Sequence, residues 1–272
     1  MSELLLRRRN LLIRKQEEEM NIRAVCFKAD GEQTVTIKQV NITYTKVFQY
    51  SYDGVTWESW NLSPLPFGGP TKVYIRGYNK TLGWDANTYT SFVFGTDAYV
   101  YVSGIVESLL DGDNEVLALG TQGILRQLFY HQTALRSAEN LRFEAQSING
   151  TSVYALMFDG CINLLYAPKV LPAQNLSANY CYQYMFRNCK SLVNAPELPA
   201  EALIDGCYQY MFSNCMSLKS IRCRAKVKAH NATFNWLNGV NTVGTLYGHS
   251  EYGWSSGASG IPTTWTFEEL TD

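Results

Sequence analysis

Cysteine is the most reactive side chain that recurs in this sequence, and its spacing decides between bonding, ligation and packing. Cys161, Cys189 and Cys215 share one repeating position, and Cys181 and Cys207 share another. A zinc site takes close pairs with convergent partners, which gaps of eight residues between Cys181 and Cys189 or Cys207 and Cys215 do not supply. Seven cysteines also leave one over in any disulfide framework. Buried, reduced thiols are therefore the expectation, and these fit assembly in a cytoplasm. His131, His230 and His249 stand far apart, with no HExxH pair, nucleophile elbow or glycine-rich phosphate loop around them. Asp111-Gly112-Asp113-Asn114-Glu115 matches the first half of a calcium loop but lacks the closing bidentate glutamate, so a tight acidic turn is expected. The other crowded carboxylates, Glu17, Glu18 and Glu19, have no framed pocket around them. No catalytic residue, metal site or cofactor is predicted.

The elements that carry these cysteines repeat. Cys181-Tyr182-Gln183-Tyr184-Met185-Phe186-Arg187-Asn188-Cys189 returns as Cys207-Tyr208-Gln209-Tyr210-Met211-Phe212-Ser213-Asn214-Cys215. An earlier copy holds Tyr154, Met157, Phe158 and Cys161, and a worn one holds Leu128, Phe129 and Leu135. A period near 27 residues signals stacked units, each burying its apolar face against its neighbours. Tyr182, Met185, Phe186 and Cys189 fall at i, i+3, i+4 and i+7, which predicts one face of a short helix. The Ser-Leu-x-x-Ala-Pro that follows predicts a brief strand closed by proline.

On these residues the repeats resemble the BspA-like leucine-rich repeats of bacterial surface proteins, in the variant LPA…CYxxMFxxCxSLxxAPE found in gut Bacteroidales and their phages. Tyr50-Ser51-Tyr52-Asp53-Gly54-Val55-Thr56-Trp57-Glu58-Ser59-Trp60 is similar to the hairpin that precedes this repeat type. The resemblance implies a leucine-rich-repeat solenoid with a closing segment that holds Trp236 and Trp265. It also implies a recognition scaffold.

The 272 residues carry a formal net charge of −1, 13% aromatic and 17% charged residues. That balance predicts a folded recognition protein and gives no footprint for nucleic acid. No apolar run reaches the length of a membrane span, and no signal peptide is expected in Leu4-Leu5-Leu6-Arg7-Arg8-Arg9. Residues 22–110 alternate as short strands: 22–29, then 34–37 returning through an Asp30-Gly31 hairpin, 42–52, 55–60, 72–78, 90–94 and 98–103, with 62–70 as loop. The expected class is β-rich α+β: an N-terminal helical arm (1–21), a small antiparallel β-sandwich (22–118), a short leucine-rich-repeat solenoid (119–225) and a C-terminal cap (226–272).

Residues 1–20 stand apart. Leu4, Leu5, Leu6 and Leu11, Leu12, Ile13 flank the basic Arg7, Arg8 and Arg9. Two readings stay open: a solvated amphipathic leader, or a docking arm that orders on a partner. On the second, these nine residues are the partner-docking set. The functional expectation is a non-enzymatic phage virion protein of the head or a tail fibre, assembled in the bacterial host cytoplasm and crAss-like in type. Its arm would meet other virion proteins, and its repeats would meet a host surface glycan or protein. A homo-oligomer is expected. The alternative is a bacterial cell-surface adhesin with the same ligands.

Overall fold

A computed structural model describes residues 22–171 and 173–271; the expected helical arm and its docking residues lie outside them. The first part holds strands β1 (Val25–Ala29), β2 (Gln33–Val40), β3 (Phe48–Ser51), β4 (Glu58–Ser59), β5 (Leu65–Phe67), β6 (Val73–Gly77), β7 (Gly83–Asp85), β8 (Thr88–Phe94) and β9 (Val100–Ile105). The second holds β10 (Ala118–Leu119), β11 (Leu135–Arg142), β12 (Ser147–Ile148), β13 (Asn175–Leu176), β14 (Asn194–Leu198), β15 (Ser220–Cys223), β16 (Thr245–Gly248) and β17 (Thr266–Glu269). Two short 3-10 turns accompany them, and no α-helix occurs among the described residues. This overturns the α+β class with its helical units, and a leucine-rich-repeat solenoid of short helices and strands is not shown among the described residues.

Backbone geometry explains why the helix pattern misled. Tyr180, Tyr184 and Asn188 have φ of 60°, 59° and 62°, and Gly206, Tyr210 and Asn214 have φ of 62°, 54° and 62°. The same four-residue beat marks Gly123, Gln127 and His131; Ser152, Leu156 and Gly160; and Asn231, Asn235 and Gly239. A left-handed residue at every fourth position cannot continue a right-handed helix. The amides divide instead between two kinds of partner. Met185 N–H donates to Tyr182 O (3.1 Å) and Arg187 N–H to Tyr184 O (3.1 Å), closing turns within the unit. Tyr182, Tyr184 and Phe186 N–H donate to Cys207, Gln209 and Met211 O of the next unit, at 3.0, 3.0 and 2.9 Å. Each amide is satisfied without an i→i−4 bond. A four-residue turn beat still sends Tyr182, Met185, Phe186 and Cys189 inward, so the spacing of a helix face survives in a ribbon of turns.

The ribbons form one wall of a stack of parallel rungs. The opposite wall is sheet. In the six-stranded sheet the order is β11-β9-β1-β6-β3-β4. Single parallel bridges from Ser137 to Tyr166 and from Tyr166 to Asn194 carry it on to the parallel ladder β14-β15-β16-β17. A short parallel ladder, β10-β12-β13, lies elsewhere in the stack. The sheet β5-β2-β8-β7 faces the first across Phe27, Phe67, Phe92 and Phe94. Contrary to the hairpin expected at Asp30-Gly31, β1 and β2 belong to different sheets, so that turn crosses the core. The segment expected as loop contributes β5 at a sheet edge, where Pro66 points to solvent and its missing donor costs little.

One aromatic column runs through the whole fold. Successive ring centroids from Phe92 through Phe129, Phe158, Phe186 and Phe212 to Trp236 lie 5.6, 5.3, 5.2, 5.6 and 6.4 Å apart. Met157, Met185 and Met211, with Leu164, Leu192 and Leu218, are fully buried beside it. The cysteines are structural: Cys161, Cys189 and Cys215 Sγ donate to Phe129, Phe158 and Phe186 O of the preceding rung at 3.0, 3.1 and 3.0 Å. Burial pushes the Cys181 and Cys223 thiols up to about 12, which leaves them protonated and unreactive.

A buried polar chain joins the first sheet to the stack. Arg23 pairs with Glu144 through both carboxylate oxygens, at 2.5 and 3.0 Å. Glu144 N–H donates to Glu107 Oε2 at 3.0 Å, and Tyr154 O–H donates to Glu107 Oε1 at 2.5 Å. Burial raises the Glu107 carboxyl from 4.5 to about 7. The folded state therefore keeps a proton that the unfolded chain releases above its ordinary value. This group's contribution is full below pH 4.5 and is lost as pH rises through 7. Urea unfolding should show this group lowering stability by about 2–3 kcal/mol between pH 5 and pH 8. Glu107→Gln should flatten that slope; an unchanged slope would assign it to other groups.

Candidate functional site

The outward side of the turn ribbons gathers residues that the helix reading left without a role. Gln183, Tyr184 and Arg187 point away from the core and are half-buried, as are Gln209 and Tyr210 one rung on. Tyr184 and Tyr210 stack at 5.0 Å with 19° between their planes, and Phe234 meets Tyr210 edge-on at 5.7 Å. The Arg187 guanidinium lies 4.4 Å from the centre of the Tyr184 ring, within cation–π range. Gln183 Nε2 donates to Gln209 Oε1 at 2.5 Å, and Asn235 Nδ2 donates to Tyr210 Oη at 3.1 Å. On earlier rungs Tyr130 meets Tyr89 at 6.1 Å. Arg126 is also half-buried in the first ribbon. The result is a ridge of ring edges, hydroxyls and amides carried by adjacent rungs, with the Arg187 guanidinium at one of them.

The ridge is rigid because its polar parts are tied from beneath. Asp159 is fully buried and accepts from Arg187 Nη2 at 2.6 Å, Arg187 Nε at 3.1 Å and Asn188 Nδ2 at 3.1 Å. Asn214 Nδ2 then donates to Asn188 Oδ1 at 3.0 Å, so the contact runs on to the next rung. Its bond to Asp159 raises the Arg187 pKa further, and the charge is permanent. Burial raises the Tyr184 and Tyr130 hydroxyls, so both remain neutral donors near pH 7.

A concavity of about 640 Å³ opens on the outer face of the six-stranded sheet. Ala24, Cys26 and Lys28 of the first strand region line it, with Tyr74, Ser103, Arg142 and Lys169. Ala24, Cys26 and Tyr74 form a small apolar cluster separate from the main core, with Ile22 and Trp57 packed against it.

The sites weighed in the sequence fall elsewhere. Asp111 Oδ1 accepts from the backbone N–H of Asp113 and Asn114 at 3.0 and 3.1 Å, and Asp113 faces Arg76 and Tyr78, so the acidic run is a self-closed turn. Among the described residues no group of three or more metal-ligating side chains converges. No helix among them is long and apolar enough to cross a membrane. Leu4, Leu5, Leu6, Arg7, Arg8, Arg9, Leu11, Leu12 and Ile13 lie outside the described residues. The ridge went unnoticed in the sequence, although it left a signal: Tyr184 and Tyr210 recur at a position that an inward helix face does not use. Comparison with known protein families, with curated proteins and with solved structures gives no match.

Proposed function

We propose that this chain is a non-enzymatic virion protein that attaches through residues 1–21 and holds a host-surface glycan on the tyrosine–guanidinium ridge. One observation carries the reading: Tyr184, Tyr210 and Arg187 are half-exposed yet locked by stacking and by the buried Asp159. Pre-ordered tyrosine, asparagine, glutamine and arginine supply contact area and hydrogen bonds with little entropy left to lose on binding. Sugar hydroxyls match such alternating donors and acceptors. Gln183 with Tyr184 on one rung and Gln209 with Tyr210 on the next offer the same pair of groups twice, which suits two adjacent units of a polymer. The sequence resemblance to phage and surface proteins supplies the virion setting, and the leucine-rich docking set at residues 4–13 supplies the attachment.

The test uses purified surface polysaccharide from the host bacterium. Tyr184→Asn with Tyr210→Asn removes both rings while keeping a residue type that tolerates left-handed backbone. Binding should weaken at least about tenfold, equivalent to roughly 1.4 kcal/mol. Unchanged glycan binding would remove the ridge from the account. Binding that protease treatment of host cells abolishes would transfer the ligand to a protein. Antibody labelling of purified particles tests the virion setting separately.

A further inference from the structure

The outer face of the six-stranded sheet carries a groove lined by Ile22, Lys28, Arg142 and Lys169. We propose that the acidic root of the N-terminal segment, Glu17 to Glu19, seats in the groove of its own chain. Three observations converge on it. First, cationic side chains line the groove: Lys28, Arg142 and Lys169, the last of which meets Glu139 at 3.7 Å. The sequence immediately before the first described residue is Gln16-Glu17-Glu18-Glu19-Met20-Asn21, the densest negative charge in the chain. Second, the point of entry is fixed. Ile22 itself lines the groove, and Arg23 is clamped by Glu144 and by the backbone carbonyls of Asp111 and Asn114. An extended residue spans at most about 3.3–3.6 Å, so the chain length allows Glu19 a reach of up to roughly 11 Å from Ile22 and Glu17 up to roughly 18 Å, which brings all three glutamates within range of the groove. Third, the floor is apolar: Ala24, just before β1, and Cys26 on it are buried in a cluster with Tyr74, against which Ile22 and Trp57 pack, apart from the main core that holds Val25 and Phe27.

Opposite charges held at the mouth of a low-dielectric concavity attract more strongly than on an open surface, and added salt weakens them. The seated root would orient residues 4–13 relative to the sheet. This inference stands on the groove and the charge pattern and does not depend on the glycan or virion readings.

Cys26 reports on the groove. In the full-length chain at low salt, alkylation of native Cys26 should be slow, and Glu17→Lys with Glu18→Lys and Glu19→Lys should speed it at least fivefold. The six other cysteines should stay unmodified, which shows that the fold is intact. Reversing the groove as well, with Lys28→Glu and Lys169→Glu, should restore slow labelling. Zero-length carbodiimide coupling on a mixture of isotopically light and heavy full-length chains should link Glu17–Glu19 to Lys28 or Lys169 within one chain. Equal Cys26 rates in the wild type and the triple variant would overturn the proposal. Links between light and heavy chains would overturn the same-chain assignment and make the occupant a second copy.

Discussion

Phe186→Ala is expected to remove about 3–5 kcal/mol of stability, the range for truncating a fully buried aromatic. Phe186 has no exposed surface and stands in the middle of the aromatic column, 5.2 Å from Phe158 and 5.6 Å from Phe212. Its loss opens a cavity that the neighbouring rungs cannot fill, because each is pinned by inter-rung bonds such as Phe186 N–H to Met211 O at 2.9 Å. Only partial collapse is then available, and the cavity cost adds to the lost burial. Phe186→Leu keeps most of the volume and should lose about 1–2 kcal/mol. Urea unfolding followed by tryptophan fluorescence measures both, since Trp236 closes the same column. A loss below about 1 kcal/mol for Phe186→Ala would mean that the rungs do not share one core.

Arg187→Met is expected to cost about 3–4 kcal/mol. Asp159 is fully buried, and Arg187 supplies two of the three side-chain donors that hold its charge. Removing one partner of a buried pair strands the other, a loss of about 3–5 kcal/mol, and the part-exposed guanidinium places this case toward the low end. Asp159→Leu combined with Arg187→Met removes the stranded charge and should recover at least half of the loss. Equilibrium unfolding of the two single variants and the double variant closes the cycle. Additive losses would show that the pair is not coupled.

The sequence disclosed the inward half of this architecture and concealed the backbone that produces it. Tyr182, Met185, Phe186 and Cys189 are buried at the spacing read from the sequence, and the worn copy at Leu128 and Phe129 joins the same core. The helix was a wrong inference from a right pattern. A four-residue turn beat and a 3.6-residue helix send nearly the same positions inward over nine residues. The distinguishing mark is the residue at each left-handed position. Asn188, Asn214, Gly160 and Gly206 suit that conformation, while Tyr184, Tyr210 and Leu156 do not. Local preference is overridden there by bonds to the next rung, about 27 residues away, which no local pattern can report. The same limit hid the crossing of β1 and β2 between sheets, because an Asp-Gly turn looks alike whether its strands pair or part. The ridge is a consequence of the ribbon, so it could not be assembled before the ribbon was seen.

The central claim is that each repeat is a turn ribbon bonded to the next rung and not a helix bonded within itself. Scalar coupling across hydrogen bonds, measured by NMR on deuterated protein, tests it at single amides. The account predicts that Phe186 N–H couples to the carbonyl of Met211, and Tyr184 N–H to that of Gln209. Coupling of Phe186 N–H to the carbonyl of Tyr182, four residues back, would contradict it and restore the helix.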